Sequence, residues 1–391
     1  MASAPTVKKH LAWEQGKLPL ELYWKIGHLA DKDGRDALML VSKAFNRVYA
    51  GTQFTEMRFG DQQRQLSEML RLFIFIHDTE REDYLKNPAN RIDKGTNPTF
   101  TAHIKAATIE VFEPPYKPGT SSISWETAAD YPRARFKPDT FLASRICQAI
   151  PLMTNLRYLD LQLEYLTRSQ RRLILELMGN SDPWKQVRQL RLMNDRPIIN
   201  SDDDWVESYI IRRQVCNLEG LQIKVGMDSY QWLEAEGQHR NLKRLHFIAD
   251  PTDVADWITG RIKFRFKSLE WLSIDTKKDG REQVSSDDLL LQIDRFAEPL
   301  GCMTKLQRVA LTIGEENINR GLNGDPDIQL CETLVRRLGR NLPRLSHIAI
   351  LGAYPIYYLG TRDTEGEELK FTIKNVAEQK RASWPSGIGD D

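Results

Sequence analysis

The residue types able to do chemistry are scattered along this 391-residue chain rather than gathered. Three acids stand together at Asp202, Asp203 and Asp204, a grouping that could hold a divalent cation. With Trp205 and Val206 following, they read better as a helix N-terminus, where carboxylates complement the dipole. The histidines (His10, His28, His77, His103, His239, His246, His347) are dispersed, and Cys147, Cys216, Cys302 and Cys331 form no C-x-x-C pair. A disulfide framework or a zinc site needs clustered ligands, so neither is expected; such thiols usually behave as small buried hydrophobes in a reducing compartment. No G-x-G-x-x-G opens a helix, and G-x-x-x-x-G-K-[ST], H-E-x-x-H and G-x-S-x-G are absent from the sequence. No catalytic, cofactor-binding or metal-ligating residue is therefore assigned, and the expectation is a chain without enzymatic activity. The segment RIKFRFK from Arg261 to Lys267 alternates basic and apolar residues. Extended, it would turn four cations to one side, which suits phosphate, nucleic acid or an acidic peptide. A solvated edge whose charges prevent strand aggregation is the commoner meaning of such a run.

The bulk composition points the same way. Lys and Arg total 55 against 54 for Asp and Glu, a net charge of +1, so there is no whole-protein pull toward nucleic acid or an anionic membrane. Neither is expected as a partner. No run approaches the roughly 18 apolar residues that span a bilayer, and MASAPTVKKHLAWEQGK at the N-terminus lacks the apolar stretch of a secretory signal. A cytoplasmic or nuclear location is the expectation.

The elements that would position a binding surface begin near Leu18. Pro19 suits the first position of a helix, and Leu22, Ile26 and Leu29 recur on one face. The polar DKDGRD run breaks that helix ahead of a short apolar segment at Ala37–Val41, and Ser42 is a good N-cap for a third helix carrying Phe45 and Val48. Three such helices cannot bury much by themselves, because about forty residues is near the lower limit for an independent core. Their apolar faces need the rest of the chain or a partner.

LPxEL, a polar break and then LxLVSKxFxxV, from Leu18 to Phe59, resembles the F-box family. The resemblance implies a module that packs against a Skp-type linker protein, itself held by a cullin scaffold, through Leu18, Pro19, Leu22, Ile26, Val41, Ser42 and Phe45. One departure is that the aspartate–leucine pair expected after the break stands as Asp36-Ala37-Leu38, which leaves the register of the second helix open by about a residue. The plainer alternative is a helical cap on the following domain; the joint occurrence of both motif segments at this spacing favours the adaptor.

Beyond the module, aliphatic-x-x-aliphatic-x-aliphatic recurs from Leu156, Val187, Leu218, Leu242, Leu269, Leu306 and Leu345, with a weaker copy from Ile104. Starts are spaced from 24 residues (Leu218 to Leu242) to 39 (Leu306 to Leu345). Most copies follow a helical segment and a polar hinge: DTFLASRICQAIPLMTN, DDWVESYIIRRQVCN, DSYQWLEAEGQHRN, SDDLLLQIDRFAEPLGCMTK and DIQLCETLVRRLGRNLPR. Helix then short strand, repeated, is the signature of a leucine-rich-repeat-like solenoid. The fold class expected is α/β: a short N-terminal three-helix module, then an irregular leucine-rich-repeat-like solenoid. In domain order the whole resembles F-box proteins common in filamentous fungi, although the asparagine that closes the repeat consensus is missing. The expected organisation is 14–59 F-box module, 60–103 helical linker and loop with a helix from Asp61 to Ile76, 104–359 solenoid, and 360–391 C-terminal tail. Two long irregular segments, Asp78–Phe100 and Glu113–Pro138, are expected to be mobile.

In each repeat strand the first, fourth and sixth positions should point into the core, because side chains alternate. The third, fifth and seventh would line a concave face that carries Tyr158, Arg191, Arg244, His246, Trp271 and Arg308, the residues assigned to an unknown target protein. Arg, Tyr and Trp dominate interface energy by combining large buried area with a directed polar group. The functional expectation is a substrate-recognition adaptor of an SCF-type ubiquitin ligase that needs no cofactor. The alternatives are an F-box and repeat scaffold acting outside ubiquitination, or a binding module for acidic or nucleic-acid ligands.

Overall fold

Alternating apolar positions build the sheet, and helices on one side of it seal the core. The computed structural model describes residues 55–86, 100–112, 138–193, 206–224, 241–249, 266–276, 285–312, 327–351 and 356–375. The linker-docking residues Leu18 to Phe45, the acids Asp202–Asp204, the basic residues Arg261–Arg265 and the DSYQWLEAEGQHR segment lie outside the described residues.

The described strands are β1 (Glu56–Asp61), β2 (Ala106–Val111), β3 (Tyr158–Gln162), β4 (Gln189–Leu192), β5 (Gly220–Lys224), β6 (Arg244–Ala249), β7 (Trp271–Thr276), β8 (Arg308–Thr312), β9 (His347–Leu351), β10 (Ile356–Thr361) and β11 (Lys370–Asn375). They form one sheet in strict sequence order. Pairing is parallel from β1 to β9, then antiparallel for β10 and β11. Described helices are α1 (Gln63–Lys86), α2 (Leu142–Leu152), α3 (Arg168–Gly179), α4 (Val206–Tyr209, continued by a π turn at Ile210–Gln214), α5 (Ser286–Gly301) and α6 (Ile328–Asn341). The molecule is thus a mixed α/β array with a sequential, largely parallel sheet flanked by helices. None of the described helices is long and apolar enough to cross a membrane.

The repeat pattern explains the core. Leu156, Leu159 and Leu161 of one copy are buried, as are Val187, Leu190 and Leu192 of the next, together with Ile146 and Ile150 from α2 and Ile174 from α3. The weak copy from Ile104 behaves likewise, with Ile104, Ala107 and Ile109 all buried. The parallel register extends before each strand: Arg157, Arg188, Glu219, Lys243, Glu270, Gln307 and Ser346 each donate a backbone N–H to the equivalent carbonyl of the preceding repeat, from Lys105 onward. Helix starts are capped by side chains: Ser285 accepts from the Asp288 N–H, and Asp327 from that of Leu330.

Several boundaries differ from the sequence expectation. The first strand, Glu56–Asp61, begins inside the stretch assigned to the N-terminal module and lies at the edge of the sheet. Helix α1 runs to Lys86, ten residues past Ile76; Asp78 to Glu82 are exposed polar residues, so the apolar period is interrupted there, and an exposed Glu82–Lys86 pair at 3.5 Å stands in that stretch. The α3 segment was not among the expected helices, although Thr167 and Gln170 form a capping box there. From Gly360 the chain completes β10 and forms β11, so Gly360, Thr361 and Lys370–Asn375 hold sheet positions rather than forming only a tail. Cys331 is buried in the core, where burial pushes its thiol up to about 12, whereas Cys216 and Cys302 are exposed and depart from the expectation of buried thiols.

Candidate binding face

Since alternate residues seal the helix side, the remaining positions align in rows on the opposite face. One row runs Tyr158, Gln189, Gly220, Arg244, Trp271, Arg308, His347 across β3 to β9. The next, two residues further along, runs Asp160, Arg191, Gln222, His246, Ser273, Ala310, Ala349. All six residues expected to meet a target therefore share this face. Arg244, Trp271 and Arg308 are immediate neighbours, and His246 stands diagonally beside Trp271. Tyr158 and Arg191 belong to the other half of the face, with Tyr158 three strands from Arg244, roughly 14 Å at the usual strand spacing.

The two halves differ in chemistry. On β1 to β4 charges pair within the sheet. Arg58 Nη2 donates to Glu110 Oε2 at 2.7 Å, and Arg191 Nη1 to Asp160 Oδ2 at 2.6 Å. With its amide in the satisfied orientation, Gln162 donates to Glu110 Oε1 at 3.2 Å and accepts from Arg191 Nη1 at 3.1 Å, which joins the two pairs. Burial raises the Asp160 carboxyl above its usual range, and the Arg191 guanidinium opposes that shift. Burial, with the Asp160 charge adding to it, pushes the Tyr158 phenol up to about 12. This half is a self-compensating polar network.

On β6 to β8 the arrangement is a stack. The guanidinium carbons of Arg244 and Arg308, one from each neighbouring strand, lie 4.3 and 4.4 Å from the centroid of the Trp271 ring. Each such contact contributes about 0.5–1 kcal/mol when exposed and about 2 kcal/mol when desolvated. Stacking engages the face of a guanidinium and not its N–H edge, the edge that matches carboxylate or phosphate in a bidentate manner. Further along the same two strands, Thr312 donates its hydroxyl to Asp275 at 2.8 Å. Trp271 also packs against a small cluster of Ala310, Ala349, Tyr357 and Leu359. His347, next in the row after Arg308, has its Nδ1 2.9 Å from the Ser346 hydroxyl.

Among the described residues no group of three or more His, Cys, Asp and Glu could hold a metal ion. Arg58 and Glu110, the far end of the polar network, and the Tyr357–Leu359 cluster are not among the residues expected on this face. A signal for the first lay in EMRFGD, where Met57 and Phe59 alternate with Arg58 as the core and face positions of a strand do. Of the basic segment, Phe266 and Lys267 are described; Phe266 is buried and accepts the Leu269 N–H in a turn ahead of β7. No protein-family model matches this chain, and no curated protein matches it.

Proposed function

We propose that this chain is the substrate-recognition adaptor of an SCF-type ubiquitin ligase. Residues Leu18, Pro19, Leu22, Ile26, Val41, Ser42 and Phe45 dock a Skp-type linker protein and, through it, a cullin scaffold, as their resemblance to the F-box pattern implies. The array, read as an irregular leucine-rich-repeat-like solenoid, presents its helix-free face to a target protein. The observation that carries the binding half of this reading is the Arg244–Trp271–Arg308 stack, drawn from three successive strands. Residues of these types, set side by side, supply area and directed donors together. The work is tethering: holding a target and a charged ubiquitin carrier on one scaffold raises their effective concentration, with no chemistry by this chain. The site of action is cytoplasmic or nuclear.

The test is co-purification with a Skp-type protein from cells that express the full chain. Replacing Leu18, Pro19 and Phe45 by alanine should abolish that association while leaving the far-ultraviolet circular dichroism of the array unchanged. A folded triple variant that still binds the linker would refute the docking assignment. The Arg244–Trp271–Arg308 stack serves a second reading equally, an F-box and repeat scaffold acting outside ubiquitination. Under it, deleting the protein would leave the half-lives of its partners unchanged.

A further inference from the structure

Helix α1 carries an apolar flank that the described array leaves uncovered. Leu66, Leu70, Phe73 and His77 are buried, and Phe73 meets Phe59 of β1 edge-on at 5.1 Å, so α1 packs back over the first strand. One flank faces α2: Arg145 Nη1 reaches Ser67 Oγ at 2.6 Å and Glu68 Oε1 at 3.2 Å. The other flank carries Met69, Leu72 and Ile76 at i, i+3 and i+7, a single stripe on the helix. They are 37%, 50% and 46% exposed. This flank points away from α2, toward the place a preceding helix would hold in the array. A stacked array with an apolar terminal surface needs a cap.

The path of the chain names the occupant. Residues 1–54 come in at Thr55, whose carbonyl accepts the Lys105 and Ala106 N–H groups at 2.9 and 3.0 Å at the start of β1. From the end of β1 the chain turns at once into α1, which runs back along the strand. At 1.5 Å per residue, Leu72 and Ile76 lie roughly 14 and 20 Å along α1. Strand β1, at about 3.3 Å per residue, is of similar length. The stripe therefore reaches the level at which the preceding segment joins. That segment holds more apolar residues than the linker-docking set uses, Trp13, Trp24 and Leu29 among them. A tethered segment also outcompetes a free partner by its effective concentration, in the millimolar range for a short connection.

We infer that residues 1–54 of this same chain dock on the Met69–Leu72–Ile76 flank of α1 and cap the array, which fixes the N-terminal segment relative to the sheet. This inference does not rest on the ligase reading, since a capped array with no linker partner would satisfy it.

The test uses the full chain with benzoyl-phenylalanine in place of Leu72, irradiated while dilute. Cross-linked peptides should join α1 to residues 1–54 within one chain, at monomer mass. Cross-links between two chains, or within one chain only to residues after 54, overturn the proposal. In parallel, Leu72→Glu with Ile76→Glu should speed proteolytic cleavage within residues 1–54 by about tenfold or more, as burial of two such side chains is lost. Cleavage of residues 55–375 should be unaffected. Phe75→Glu, on an exposed position outside the stripe, should change neither rate. Equal cleavage of residues 1–54 in the double variant and the unaltered chain also overturns it.

Discussion

The Asp160–Arg191 pair shows how one contact on the sheet face joins packing to charge. Both partners are largely withdrawn from water, at 8% and 27% side-chain exposure, so the pair stands between a surface ion pair and a fully buried one. Burial, with the Glu110 charge adding to it, raises the Asp160 carboxyl, and Arg191 is the main group that lowers it again. Arg191→Met should therefore destabilise the array by about 2 kcal/mol at neutral pH. A carboxyl whose folded-state pKa lies above its unfolded value favours the fold at low pH and loses that contribution as pH rises through the folded value. The deficit of the variant should accordingly be largest near pH 7 and shrink as pH falls through the carboxylate range, and adding Asp160→Asn should remove most of it. Urea midpoints measured between pH 4 and 7 check this; a deficit that does not vary with pH would contradict it.

At the scale of elements, β10 meets α6 so closely that one position tolerates no side chain. Gly360 faces the core, and a Cβ there would lie 2.4 Å from Val335 Cγ1, on a side chain that is itself fully buried. Gly360→Ala should cost about 1–3 kcal/mol by overpacking. The same substitution beside Val335→Ala should cost at least about 1 kcal/mol less, the coupling expected of groups in contact. Thermal unfolding of the four chains measures it, and equal costs in both backgrounds would place the strain elsewhere. The following residues secure the same junction. The Arg362 guanidinium donates to the carbonyls of Leu345 at 2.8 Å, Gly339 at 2.8 Å and Glu367 at 3.1 Å, closing the C-terminal end of α6.

Over the whole molecule, β10 and β11 reverse the direction of pairing and end the described sheet. They cover Ala310 and Ala349 with Tyr357 and Leu359, and the connection between them supplies Arg362 and Leu369 to the α6 junction. A chain cut after Leu359 should lose roughly 5 kcal/mol or more of stability, from buried apolar area and from carbonyls left without their donor. Circular dichroism melts of the cut and full chains decide it; an unchanged melting temperature would mean that the removed residues are a dispensable tail.

The array is written in the periodicity of the chain. Apolar positions such as Leu156, Leu159 and Leu161 repeat with the period of a half-buried strand, and the alternation that buries them also dictates that Tyr158 and Asp160 share the opposite face. Helix Ile328–Asn341, with its apolar stripe behind Asp327, was legible for the same reason, whereas α3 was not, despite its Thr167–Gln170 capping box. Where a signal is not periodic it was lost. Asp78 to Glu82 of α1 are polar and exposed, and Gly360 carries no side chain to mark it as core. The repeats place Arg244, Trp271 and Arg308 side by side on successive strands, but how their side chains close on one another depends on packing that no local pattern carries. Arg244, Trp271 and Arg308 are separated by 27 and 37 residues, and nothing local to any of them announces that two guanidiniums will close on one indole.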